Sequence, residues 1–164
     1  MDEIKNVQDP NDYQHMLVDM MIQYEKMMGE LYRIYAQAYP EYKDFWEEIA
    51  CEEDEHASWL AMFLNRDDAY FSKERFGIIP VEYCIKEVQE KIQEAKENPP
   101  KIILALGNSM NIENGMIENK FFEVYEGDSE EFKRILANLK IATKEHLKKV
   151  VEKHKIEEER TDIK

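Results

Sequence analysis

At 164 residues, with only 5 Gly and 5 Pro and with Glu, Lys, Leu, Met, Ala and Ile dominating, the chain has room for one buried core and favours long, seldom interrupted helices. Its formal charge of −14 is spread along the whole length, which argues against nucleic acid and anionic membranes as partners. Apolar runs such as Trp59 to Leu64 and Ile102 to Leu106 fall far short of the roughly 20 residues that a membrane span requires.

The first helical pattern runs from about Asp12 to Ala38, with Leu17, Val18, Met21, Ile22, Met28, Tyr32 and Ala36 recurring at three- and four-residue intervals. Tyr39-Pro40 ends it, because the residue before a proline is pushed out of the α region. A second helix is expected from about Glu41 to Asn65, carrying Phe45, Trp46, Ile49, Ala57, Leu60 and Phe63 on its apolar face. The short connection makes these two antiparallel neighbours. An irregular stretch from Arg66 to Pro80 and a helical pattern from Val81 to Lys96 then read as a crossover carrying a minor helix. Pro99-Pro100 restarts the chain into a third main helix to about Tyr125, stopped by Glu126-Gly127. Asp128 with Glu131 forms a capping box for a fourth main helix to about Lys155, and the charged tail from Glu157 is expected to fray. The expectation is one all-α domain, an antiparallel four-helix bundle of two hairpins joined by a long crossover, with its core at about residues 11–156.

Certain polar residues interrupt the apolar stripes. Glu25 sits amid Met21, Ile22, Met28 and Tyr32, while Glu53 and His56, three residues apart, project from one face between Trp46, Ile49 and Ala57, Leu60. Glu118 precedes Phe121, Phe122 and Tyr125, and His146 lies among Leu139, Ala142, Leu147 and Val150. Each main helix thereby points a potential ligand inward. Three carboxylates facing one core are costly to bury and repel one another unless a cation joins them. Mixed carboxylate and imidazole donors suit iron, manganese or zinc better than calcium or magnesium, which take oxygen alone. The two halves also share a register, with Glu25 seven residues before Tyr32 and Glu118 seven before Tyr125. Glu30, Glu52, Asp54, Glu55 and Glu123 fall off the stripes and read as surface charge. Asn111 and Asn114 share the face of Glu118, where a place near the site and a polar subunit interface both remain open.

Over roughly Asn11 to His154 the chain resembles the rubrerythrin and ferritin-like di-iron carboxylate family, in which two helices each give one Glu and two others each give Glu-x-x-His. Glu25 in Gln23-Tyr24-Glu25-Lys26, Glu53-Asp54-Glu55-His56 and Glu118 in Met116-Ile117-Glu118-Asn119 carry the resemblance. The fourth element departs from it, since Thr143-Lys144-Glu145-His146 puts threonine where the family places its second Glu.

The resemblance implies a ferritin-like bundle with iron, one ion or two, held by Glu25, Glu53, His56, Glu118 and His146, with manganese or zinc as alternatives. Tyr32 and Tyr125 stand ready to orient a carboxylate, or simply to pack, and Thr143 lies beside the site. Two divalent ions against three carboxylates leave one positive charge for an exogenous anion. In the alternative, a single ion uses Glu25, Glu53 and His56. The implied function is redox chemistry with dioxygen or peroxide. Non-enzymatic iron handling, or a helical interaction domain with a degenerate site, are the other readings. Rubrerythrins also carry paired Cys-x-x-Cys motifs; Cys51 and Cys84 make no such pair, so electrons would come from a separate donor. A homodimer and a reducing cytoplasm complete the expectations.

Overall fold

The computed structural model describes residues 10–64, 78–118, 121–124 and 126–162. Among these the chain is all-helical, with α1 at Pro10–Ala38, α2 at Lys43–Ala61, α3 at Ile79–Glu97, α4 at Ile102–Glu118 and α5 at Glu130–Asp162. A single 3-10 turn at Pro40–Tyr42 joins α1 to α2, and Tyr39 ahead of it is extended at φ −125°, ψ 82°.

Side-chain contacts fix the helix directions. Glu25 approaches His56 while Tyr32 stacks on Trp46 further along, so α1 and α2 are antiparallel. Tyr24 against Phe121 and Tyr32 against Glu113 set α4 antiparallel to α1. Glu53 with His146 and Glu48 with Lys149 do the same for α2 and α5. Four helices thus form a square in which every neighbour is antiparallel and α1 lies diagonally across from α5. Because α2 and α4 then run the same way, the chain must travel the length of the bundle between them.

That return is α3. It was expected as a minor helix, yet at 19 residues it equals α2 in length and buries Val81, Cys84, Val88, Ile92 and Ala95. These five fall at three- and four-residue steps and give one narrow stripe, enough to lie mainly against one partner. The partner is α1: Tyr24 neighbours Cys84 and Glu30 pairs with Lys96 at 2.6 Å, so the two helices run parallel. Most of the irregular stretch expected from Arg66 lies outside the described residues.

Three further boundaries differ from expectation. Helix α4 ends at Glu118, not near Tyr125; the Phe121 amide donates to the Met116 carbonyl at 3.2 Å, and Phe121 and Phe122 are both buried. The N-cap of α5 is Ser129, one residue after the expected Asp128, and its hydroxyl accepts from the Phe132 amide at 3.2 Å. Gly127 takes the left-handed φ of 96° that lets the chain turn into this cap. Finally, α5 continues to Asp162 without fraying at Glu157, since Tyr42 donates to Glu157 and Arg160 bonds both, at 2.7 Å to Glu157 and 3.3 Å to Tyr42.

Tight packing sets the α1/α2 pair close. A methyl group on Gly29 would lie 3.2 Å from the Ala50 carbonyl oxygen, a tight contact that glycine avoids at this separation. Trp46 fills the interior below, ringed by Tyr32, Tyr35 and Phe45 at centroid distances of 5.4, 5.1 and 4.9 Å. The centre of the square, about two to three turns from Trp46 along α2, is polar.

Candidate metal centre

On α2 the buried residues Trp46, Ile49, Ala50, Glu53, His56, Ala57 and Leu60 follow one helical face, so Glu53 and His56 are carried into the core by the same periodicity that buries their apolar neighbours. Glu53 is 2% exposed and His56 3%. The Glu53 carboxylate faces both imidazoles: Oε2 lies 2.8 Å from His56 Nδ1 and Oε1 3.0 Å from His146 Nδ1. Glu53, His56 and His146 each present a ligand atom within 4.8 Å of the others. The two rings are near parallel, with centroids 5.4 Å apart.

A carboxylate flanks each histidine on the outside. Glu25 of α1 reaches within 3.7 Å of His56 Nδ1, and Glu113 of α4 within 3.7 Å of His146 Nδ1. Both are buried. The arrangement is pseudo-symmetric, with Glu25 and His56 on one side matched by Glu113 and His146 on the other. Tyr32 donates to Glu113 Oε1 at 2.6 Å, an α1 hydroxyl orienting an α4 carboxylate. Thr143 occupies the place on α5 that Glu53 occupies on α2, three residues before the histidine, and is also buried.

The carboxylate of α4 that meets His146 is Glu113, which sequence reasoning passed over. Glu118 closes α4, and its side chain lies outside the described residues, as does Tyr125. A signal for Glu113 existed: it stands seven residues after Leu106, four after Ser109 and three before Met116, all buried. Glu52, expected as surface charge, is partly exposed but also bonds across to α5. Turned about 100° from Glu53, it reaches toward α5 at the edge of the bundle. Its Oε2 lies 2.5 Å from His146 Nε2, and Lys149 bonds its Oε1 at 3.2 Å while also reaching Glu48 at 2.8 Å. Of the other off-stripe acids, Asp54 pairs with Arg33 and Glu30 with Lys96.

Protonation follows from this crowding. Burial raises the Glu25 carboxyl, and the Glu53 charge adds to the rise despite the opposing pull of His56, leaving it at about 8. Burial pushes Glu53 the same way, but hydrogen bonds from His146 and His56 outweigh it and hold that carboxyl at about 2. Burial would depress both imidazoles. Instead the carboxylates around them prevail, lifting His56 to about 9 through Glu25 and Glu53, and His146 to about 11 through Glu113 and Glu53. Glu113 is raised, chiefly by burial. In this metal-free arrangement, protons on the imidazoles supply the positive charge that the buried carboxylates require.

No family model, characterised protein or solved structure matches the chain.

Proposed function

We propose that the protein is a ferritin-like iron protein that binds two ions at this centre and uses them in redox chemistry with dioxygen or peroxide. One observation carries the proposal: a single buried carboxylate, Glu53, spans the Nδ1 atoms of two histidines from different helices, each flanked by its own carboxylate. Glu25, Glu53 and His56 would hold one ion, and Glu113, Glu53 and His146 the other. Removing the two imidazole protons frees the lone pairs that face the cluster. The donors are oxygen and imidazole nitrogen without sulfur, a set suited to iron, with manganese and zinc close behind. The sequence-level match to the ferritin-like pattern, one Glu on each of two helices and Glu-x-x-His on a third, supports the same reading once Glu113 is put where Glu118 was expected.

Iron bound as a pair can supply two electrons to an oxidant. The chain's own residues contribute orientation and insulation. Tyr32 fixes Glu113, Glu52 fixes His146, and the apolar neighbours of α1 and α2 keep bulk water from the carboxylates. Reducing equivalents would come from a separate donor.

Anaerobic titration of the metal-free protein with ferrous iron, followed by peroxide or dioxygen, tests the reading. Two ferrous ions per chain that an oxidant converts to ferric are expected. A protein that binds no iron would overturn the proposal. Bound iron that stays ferrous under both oxidants would leave a metal-holding protein in its place.

A further inference from the structure

Tyr32, whose hydroxyl meets Glu113 Oε1 at 2.6 Å, is the first of a row of aromatic rings. It stacks on Trp46 with ring centroids 5.4 Å apart and planes 24° from parallel. Trp46 meets Tyr35 at 5.1 Å, and Tyr35 meets Tyr39 at 5.9 Å. The three tyrosines come at three- and four-residue steps along α1 and just past its end, which puts them on one face, and Trp46 of α2 packs between the first two. Tyr32, Trp46 and Tyr35 are fully buried. Tyr39 is half-buried, and a hydrogen bond to the Pro100 carbonyl holds it in place. An unbroken column of oxidisable rings therefore leads from a carboxylate of the centre to the surface at the α1–α2 connection.

Its members differ in how they can handle a proton. Tyr32 has an acceptor in Glu113, and Tyr39 stands at the edge of solvent. Trp46 Nε1 is buried with no hydrogen-bond partner among the described residues. A phenol gives up an electron readily only when its proton can move at the same time, whereas an indole can lose an electron and keep its proton. Tyr32 and Tyr39 are thus places where an oxidising equivalent can rest, and Trp46 is one through which it passes.

We infer that Tyr32, Trp46, Tyr35 and Tyr39 form a one-electron path between the metal centre and the surface, along which a small reductant acting at Tyr39 supplies the centre. The inference rests on the two-ion redox reading and adds where its electrons enter. Dioxygen takes four electrons and four protons to become two waters, and a ferrous pair gives two electrons in becoming ferric. The other two travel the column one at a time, and solvent supplies the protons of the waters. Tyr32 yields an electron to the centre while its phenolic proton shifts to Glu113 Oε1. An electron from Trp46 then restores Tyr32, which takes its proton back from Glu113. The deficit left on Trp46 passes across Tyr35 to Tyr39, whose proton goes to water, and a one-electron reductant in solution makes Tyr39 whole again.

The test mixes full-length protein, loaded anaerobically with ferrous iron, with dioxygen and freezes it during turnover for electron paramagnetic resonance. Parallel samples receive tetramethyl-p-phenylenediamine, a neutral one-electron reductant whose oxidised form is coloured. Wild type is expected to show a tyrosyl radical, recognised by the narrowing of its signal in protein made with ring-deuterated tyrosine, and the reductant should discharge it. Trp46→Phe and Tyr39→Phe keep an aromatic ring at each place. Both should hold as much iron and oxidise it as fast, with the radical discharged about tenfold more slowly. Phe45→Leu, which disturbs the packing of Trp46 from outside the column, should discharge it at the wild-type rate. Iron oxidised in the wild type without any tyrosyl radical overturns the inference and leaves the two-ion reading standing. Discharge in Trp46→Phe and Tyr39→Phe as fast as in the wild type does the same, as does a Phe45→Leu variant slowed as much as Trp46→Phe. Fewer than two ions per chain in the wild type refutes the two-ion reading and this inference with it.

Discussion

Glu53 holds the centre together because it is the one carboxylate in contact with both imidazoles, at 2.8 and 3.0 Å, and it stays ionised while Glu25 and Glu113 are driven toward protonation. Glu53→Ala is accordingly expected to abolish binding of both ions, whereas Glu25→Ala and Glu113→Ala should each bring the iron content toward one per chain; elemental analysis of protein reconstituted with ferrous iron distinguishes the two patterns. Equal iron content in Glu53→Ala and wild type would remove Glu53 from the site. Glu52 meets the far nitrogen of the His146 ring, so on the proposed reading it would act through that histidine. Glu52→Gln should weaken metal affinity by about 10- to 100-fold, the usual effect of losing an outer partner of a ligating histidine, with the stoichiometry at saturation unchanged. Why some of these residues were legible in the sequence and others were not has a local cause. Glu25, Glu53, His56 and His146 interrupt dense apolar stripes, so their inward direction could be read directly. Glu113 sits between Gly107 and Gly115 and beside Asn111 and Asn114, where the stripe is thin, and the seven-residue spacing shared by Glu25–Tyr32 and Glu118–Tyr125 pointed instead to Glu118, whose side chain lies outside the described residues. Glu52 could not be told from surface charge because its neighbour is α5, a contact between residues 94 apart in sequence.

At the scale of elements, periodicity located every helix, and the errors were confined to ends and to the weight given to α3. Ends are decided by single hydrogen bonds that a sequence pattern does not contain. The Ser129 hydroxyl caps α5, and Ser129→Ala is expected to lower stability by about 1 kcal/mol in denaturant unfolding. At the other end of the same helix, the last two turns are held by Tyr42 through Glu157 and Arg160. Charge composition alone made this segment look like a fraying tail, because the phenol that anchors it comes from the α1–α2 connection more than 100 residues away. Tyr42→Phe keeps the packing against Lys153 but removes the hydroxyl. It should cost about 1 kcal/mol and speed amide exchange selectively over residues 156–162, leaving the centre of α5 protected. Uniform exchange along α5 in both proteins would show that the end is held by other means.

For the whole molecule, the buried centre makes stability depend on pH in a direction that metal reverses. In the metal-free protein Glu25 titrates near 8 in place of 4.5, His56 near 9 and His146 near 11 in place of 6.5. In each case the folded state retains a proton that the unfolded chain gives up, so stability falls as pH rises, from about 4.5 to 8 for Glu25, from 6.5 to 9 for His56 and from 6.5 upward for His146. Glu53, held near 2, has the opposite sense: its contribution is complete above 4.5 and is lost as pH falls toward 2. The metal-free protein should therefore be most stable near pH 5 and lose stability steadily to pH 9. Metal binds the deprotonated forms, so at pH 7 it must displace the protons on Glu25, His56 and His146. Two linked outcomes are expected. Adding ferrous iron or zinc to weakly buffered protein at pH 7 should release more than one proton per chain, and the apparent affinity should rise by more than about tenfold per pH unit between pH 6 and 7.5. The gap between the melting temperatures of loaded and metal-free protein should consequently widen from pH 5.5 to pH 8.5. A gap that stays constant over that range, with no proton release on metal addition, would mean that the carboxylates and imidazoles of the bundle centre are not the groups that meet the metal.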